Sequence, residues 1–222
     1  MNLSFENIAE HFTAAIFTIA AAAITWFVKT SYDKFKRDMR AIARVERISA
    51  LNRARLISNK PLIEMWSSAL KSGRRYIRPI DKLIIDDETH YDVSDISLVN
   101  LIVRTNFTLQ AFNDDIENLY KDYVENFAPL VIQDPPGIKK FENEMKEIAR
   151  LLDQTVAYIP NLESEILSVS ARARVLGRVK KHSTFGYLSL LETNVFPRIT
   201  SEKLSIELDR LRKEIKDKAE TT

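Results

Sequence analysis

From Phe12 to Val28 the chain reads FTAAIFTIAAAAITWFV, 17 residues without a charge. A helix rises about 1.5 Å per residue, so ~20 residues are needed to cross ~30 Å of hydrocarbon. Ile8 and Ala9 carry the apolar character past Glu10 and His11. In lipid a lone spanning segment must pair its own backbone groups, which only a helix does. Two other readings compete. A secretory signal peptide calls for a basic leader, whereas Glu6 and Glu10 are the only charges before Lys29. A core helix of a soluble protein would not need Trp26 and Phe27 set directly before Lys29, the order of an interfacial aromatic belt. The sequence therefore predicts one transmembrane helix.

Its orientation follows from the flank. Lys29, Lys34, Lys36, Arg37, Arg40, Arg44 and Arg47 outnumber Asp33, Asp38 and Glu46. Positive charge stays on the cytoplasmic side, which predicts an N-terminus outside and a cytoplasmic C-terminal domain. Within the segment Ala14, Thr18, Ala21 and Thr25 recur at helical spacing and form a small, slightly polar face. Small residues allow backbones to approach closely, so this face is a candidate for self-association or for lining a narrow pore. An alanine-rich helix also shows such a face by chance.

Beyond the membrane segment nothing alternates with the two-residue period of a strand, and 4 Gly and 7 Pro leave long helix-compatible stretches. The expected fold is all-α: a transmembrane helix continuing into a stalk, then a helical bundle. The expected divisions are residues 1–28 for the tail and transmembrane helix, 29–60 for a basic stalk, 61–217 for the cytoplasmic helical domain and 218–222 for a tail. Pro61 is expected to open a new helix that Gly73 ends. Ser94 is expected to cap a long helix from Ile96 that stops near Pro129, before a turn at Gln133 to Gly137. Further helices are expected over Ile138–Tyr158, closed by Pro160, and over Leu162–Lys181. A short one follows around Phe185–Val195, and Thr200 or Ser201 caps a last one.

No acidic residue occurs from Ile166 to Leu191, a stretch holding Arg172, Arg174, Arg178, Lys180, Lys181 and His182. On a helix Arg174, Arg178 and Lys181 share a face, a cationic strip that could hold phosphates. A second basic run, Lys71, Arg74, Arg75 and Arg78, includes Tyr76, which could stack on a base. Both runs could instead pair with acidic helices such as the one bearing Asp114, Asp115 and Glu117, solubilise a face, or meet anionic lipid headgroups. The candidate ligands are thus a nucleotide, a single-stranded nucleic acid or membrane lipid.

The absence of cysteine excludes disulfides, thiolate metal sites and a cysteine nucleophile, and suits a reducing compartment. His11, His90 and His182 lack metal-ligand spacing, and His90 sits in an acidic loop with Asp86, Asp87, Glu88 and Asp92. No phosphate loop, serine elbow or zinc helix is present, so no cofactor, metal or catalytic residue is expected. Arg178-Val-Lys-Lys-His182 resembles the Arg and His pair of helical RNases of the HEPN type, with three residues between where that family usually has four to six. A nuclease is the minor alternative.

In size, topology and charge layout the chain resembles small single-pass membrane effectors of bacterial anti-phage defence, of the Hailong-like transmembrane and CRISPR-accessory membrane types. The resemblance implies a soluble domain that oligomerises and senses a nucleotide or oligonucleotide, and bundled membrane helices that permeabilise or depolarise the inner membrane and arrest the cell. It also implies an operon-encoded regulator as a partner. The competing reading is a membrane-anchored adaptor or scaffold without pore activity.

Overall fold

The computed structural model describes residues 5–74, 79–127, 142–182 and 200–219. Among these residues the structure is helical, with no strand. Helix α1 spans Phe5–Lys71, 67 residues. At 1.5 Å per residue it is about 100 Å long. It ends where Gly73 takes φ +66°, and Arg74 and Gly73 donate back to the carbonyls of Ala69 and Leu70. That is the left-handed glycine cap the sequence called for. Helix α2 spans Ile96–Lys121 and runs into a π-helical turn at Asp122–Phe127. Helix α3 spans Glu142–His182 and α4 spans Ser201–Ala219.

Two expected breaks are absent. Pro61 lies inside α1 and Pro160 inside α3. Each proline removes a donor to the carbonyl four residues back, at about 3 kcal/mol or more. Both are exposed, so the crowded side of each ring faces solvent. On the opposite faces Ile63, Trp66 and Leu70, and Leu162 and Ile166, are buried in one core. Burying such side chains stabilises by roughly 1.5–3 kcal/mol each, more than the break costs.

The α2 cap is also displaced by one residue. Asp95, not Ser94, accepts from the Leu98 N–H at 2.6 Å. At α4 the Thr200 hydroxyl accepts from the Lys203 N–H, as expected. The turn at 133–137, the helix around 185–195 and residues 220–222 of the tail lie outside the described residues.

The stretch read as a stalk is a wall of the bundle. Along α1, Asp38, Ile42, Val45, Ser49, Asn52, Leu56, Asn59, Ile63, Trp66 and Leu70 are all buried and recur at alternating steps of four and three. That seam has the heptad period of coiled-coil packing. Its partner is α3, which runs antiparallel: Lys180 meets Asp38, Arg174 meets Glu46, and Asp153 meets Ser67 and Lys71. Helix α2 closes the core from a third side, antiparallel to α3, through Arg172–Asp95 and Arg104–Glu165. Helix α4 lies on the outer side of α3 through Leu211, Leu167 and Ala171.

An extended segment, residues 79–88, threads between α1 and α2, and three asparagines hold it. The Asn52 carboxamide donates to the Ile84 carbonyl and accepts from the Ile84 N–H. Asn59 does the same with Asp81, and Asn113 of α2 with Leu83. Buried backbone groups outside helix or sheet need partners, and here side chains supply both bonds of a strand-type pair. Ile80, Leu83 and Ile85 of this segment then pack on the core. A 3₁₀ turn at Thr89–Asp92 leads to α2.

From Phe12 to Thr30 every residue of α1 is exposed, Trp26 and Phe17 to about 70% (69% and 71%). Ser31, at 0% exposure, is the first buried position. One helix is therefore long and apolar enough to cross a membrane, and its apolar part projects clear of the bundle.

Candidate functional site

The half of the bundle nearest the exposed apolar stretch carries the cationic face of α3. Heptad packing turns Ala173, Leu176 and Lys180 toward α1, which leaves Arg172 facing α2 and Arg174 and Arg178 facing α4. Arg172 forms a two-pronged pair with Asp95, Nε to Oδ1 at 2.8 Å and Nη2 to Oδ2 at 3.1 Å. The same carboxylate caps α2, so Arg172 ties the start of that helix to α3.

Arg174 sits where three helices meet. It reaches Glu46 of α1 at 2.6 Å, and Glu214 and Glu207 of α4 at 3.1 and 3.7 Å. Burial works against its charge, but bonds to Glu214 and Glu46 outweigh this and raise its pKa above the ordinary arginine value. Arg178 grips both oxygens of Glu207, at 2.6 and 3.0 Å. Bidentate pairing of this kind is among the stronger charge-assisted arrangements.

Lys180 turns inward. Its side chain is 6% exposed and its ammonium donates to Asp38, 4% exposed, and to the Ser94 hydroxyl at 2.6 Å. Burial, and then the nearby Lys34 charge, lower the Lys180 pKa to about 8. Asp38 also accepts from the Ser94 N–H at 3.0 Å and the Ser94 hydroxyl at 2.9 Å. The cluster is a polar rivet joining α1, α3 and the entry to α2. It lies eight residues past Thr30, about 12 Å along α1 from the exposed apolar stretch.

Of the remaining sequence candidates, Lys181 is exposed beside this cluster. His182 ends α3, with a side chain outside the described residues. The described members of the second basic run, Lys71 and Arg74, are not brought to the first. Lys71 pairs with Asp153 at 2.5 Å at the far end of the bundle, and Arg74 is exposed after the helix cap. Arg75, Tyr76 and Arg78 lie outside the described residues. The acidic partners are Asp38, Glu46, Asp95, Asp153, Glu207 and Glu214 rather than Asp114, Asp115 and Glu117; Glu117 binds Lys82 and Lys121 instead. Among the described residues no group of acidic and histidine side chains has metal-binding geometry, the His90 loop included.

In the apolar stretch the Thr18 and Thr25 hydroxyls donate to the carbonyls of Ala14 and Ala21, both at 2.8 Å. Each hydroxyl is thereby satisfied inside its own helix and retains only acceptor capacity toward a neighbour. The face remains smooth and small.

A cleft of about 360 Å³ opens beside Arg178, lined by Val175, Val179, Lys203, Ile206 and Glu207. Larger clefts, of about 480 and 460 Å³, flank α2. Their walls include Asp115 and Asp122, and Glu117 and Glu125, so neither presents the cationic face. Sequence reasoning missed Asp38, Ser94, Glu207 and the asparagines. Asp38 was visible as an acidic residue inside a basic flank, and Glu207 carried no signal apart from its place on an amphipathic helix.

No family model, curated protein or solved structure matches the chain.

Proposed function

We propose that the protein is an oligomeric single-pass membrane effector, of the kind used in anti-phage defence. On this reading its helical domain lies in the cytoplasm and senses a phosphate-bearing ligand, a nucleotide or oligonucleotide. Its membrane helices associate through the Ala14, Thr18, Ala21 and Thr25 face and permeabilise or depolarise the bacterial inner membrane. The supporting observation is the continuity of α1: the exposed stretch from Phe12 and the buried seam to Leu70 belong to one helix. A flexible tether needs no such continuity, whereas a helix without a break passes rotation or tilt of the domain into the membrane. The basic flank from Lys29 to Arg47 supports the inward orientation.

The test is leakage from liposomes holding the full-length oligomer, with and without candidate nucleotides. Leakage that requires ligand, and disappears when residues 12–28 are replaced by an unrelated hydrophobic helix, is the expected result. An intact oligomer that stays silent with every ligand class refutes it.

A membrane-anchored adaptor is the second reading, favoured by the pairing of Arg172, Arg174, Arg178 and Lys180 with carboxylates of the same chain. An adaptor keeps its cellular activity after the same helix replacement.

A further inference from the structure

We propose that Glu207 is an internal stand-in for the anionic ligand: its carboxylate occupies a two-arginine cradle on α3, and a phosphate group entering the adjoining cleft displaces it and lifts α4 off the bundle. This rests on the reading that the soluble domain senses a phosphate-bearing ligand, and it names the site and the moving part.

The Glu207 side chain is 3% exposed, with both oxygens bound by Arg178 and one facing Arg174 at 3.7 Å. The planar donor fork of arginine fits phosphate oxygens as well as carboxylate oxygens. Arg178 has five N–H donors and is half-exposed (49%), so it can meet an incoming anion before Glu207 has left. The approach is the 360 Å³ cleft: Val175 and Val179 of α3 form its lasting apolar wall, while Lys203 and Ile206 of α4 line only the way in and leave with that helix. Arg174 keeps Glu46 of α1 when α4 departs, whereas Arg178 loses its carboxylate partner, so the exchange concentrates free charge on Arg178.

Helix α4 is suited to release. Among the described side chains its buried apolar anchor is Leu211, against Leu167 and Ala171, with Leu208 beside it. Ion pairs of Glu207 and Glu214 add to the attachment. Ile206 is 62% exposed and adds little. A 19-residue helix is only marginally stable alone, so loss of docking exposes it to protease.

The experiment uses the full chain in neutral detergent, with inorganic tripolyphosphate as the soluble probe. A parallel arm uses nanodiscs of phosphatidylglycerol against phosphatidylcholine. Binding is read by calorimetry and α4 release by tryptic cleavage at Lys203, Arg210 and Arg212. Glu207→Gln, which removes the competing anion, should bind the probe at least tenfold more tightly and be cleaved in α4 without it. Arg178→Gln should abolish binding while its melting curve shows a folded protein. Response to phosphatidylglycerol nanodiscs alone supports the same cradle with a lipid headgroup as the source. Overturning results are Glu207→Gln cleaved faster but binding no more tightly, binding that survives Arg178→Gln, or no response to either probe. Any of these removes the stand-in role; binding without leakage removes the effector reading instead.

Discussion

If α1 carries motion from the bundle to the membrane, inserting residues between Lys29 and Ser31 changes activity with the period of a helix. The insertion point follows the apolar stretch and precedes the first buried position, so the bundle is untouched. Each added alanine advances the membrane segment by about 1.5 Å and turns it by about 100° against the bundle. One residue therefore points the Ala14–Thr25 face about 100° away, and two about 160°. Four leave an error of about 40° and seven about 20°, at displacements of about 6 and 10.5 Å. Ligand-dependent liposome leakage should collapse for one and two insertions, recover partly at four and recover most at seven. Melting temperatures should match the parent protein throughout. Activity that declines steadily with length, or does not change at all, refutes rotational coupling and favours a tether.

Asn113→Ala should cost about 3 kcal/mol, because it removes two bonds worth roughly 1 kcal/mol each net and leaves the buried Leu83 N–H and C=O unsatisfied. For a chain of this length that lowers the melting temperature by about 6–12 °C and speeds hydrogen exchange at Leu83; a change under 2 °C refutes the strap's role. Lys180→Met should cost about 3–5 kcal/mol by stranding Asp38, while Lys180→Met with Asp38→Leu should regain most of it; equal losses in the two proteins refute the rivet.

The all-helical class, the exposed apolar helix and the caps at Gly73 and Thr200 were legible because each depends on local spacing. The α1 seam was not. Ser49, Asn52 and Asn59 occupy positions where a heptad is expected to show apolar residues, so the pattern reads as interrupted. Asn52 and Asn59 make sense only against an extended segment more than twenty residues further along the chain. Both prolines misled for a related reason, since their local cost is set against burial contributed by other helices. The cationic face of α3 was legible as residues, but its partners on α1, α2 and α4 are up to 142 positions away. Whether such a face is bare or paired is decided by tertiary packing.

The prolines also divide the rod mechanically. The antiparallel pairings put Pro61 and Pro160 within about one helical turn of the same height, so both principal helices lose a backbone bond at nearly the same cross-section. A beam notched on two members at one level bends there first. Load applied beyond the notch, near Lys71 and Asp153, is absorbed as flexure. Load applied between Ser31 and Leu56 meets an unnotched shaft and is delivered to the apolar end. If the apolar end works in a bilayer, a stimulus does best to enter on that side of the notch, and that is where α4 is clasped.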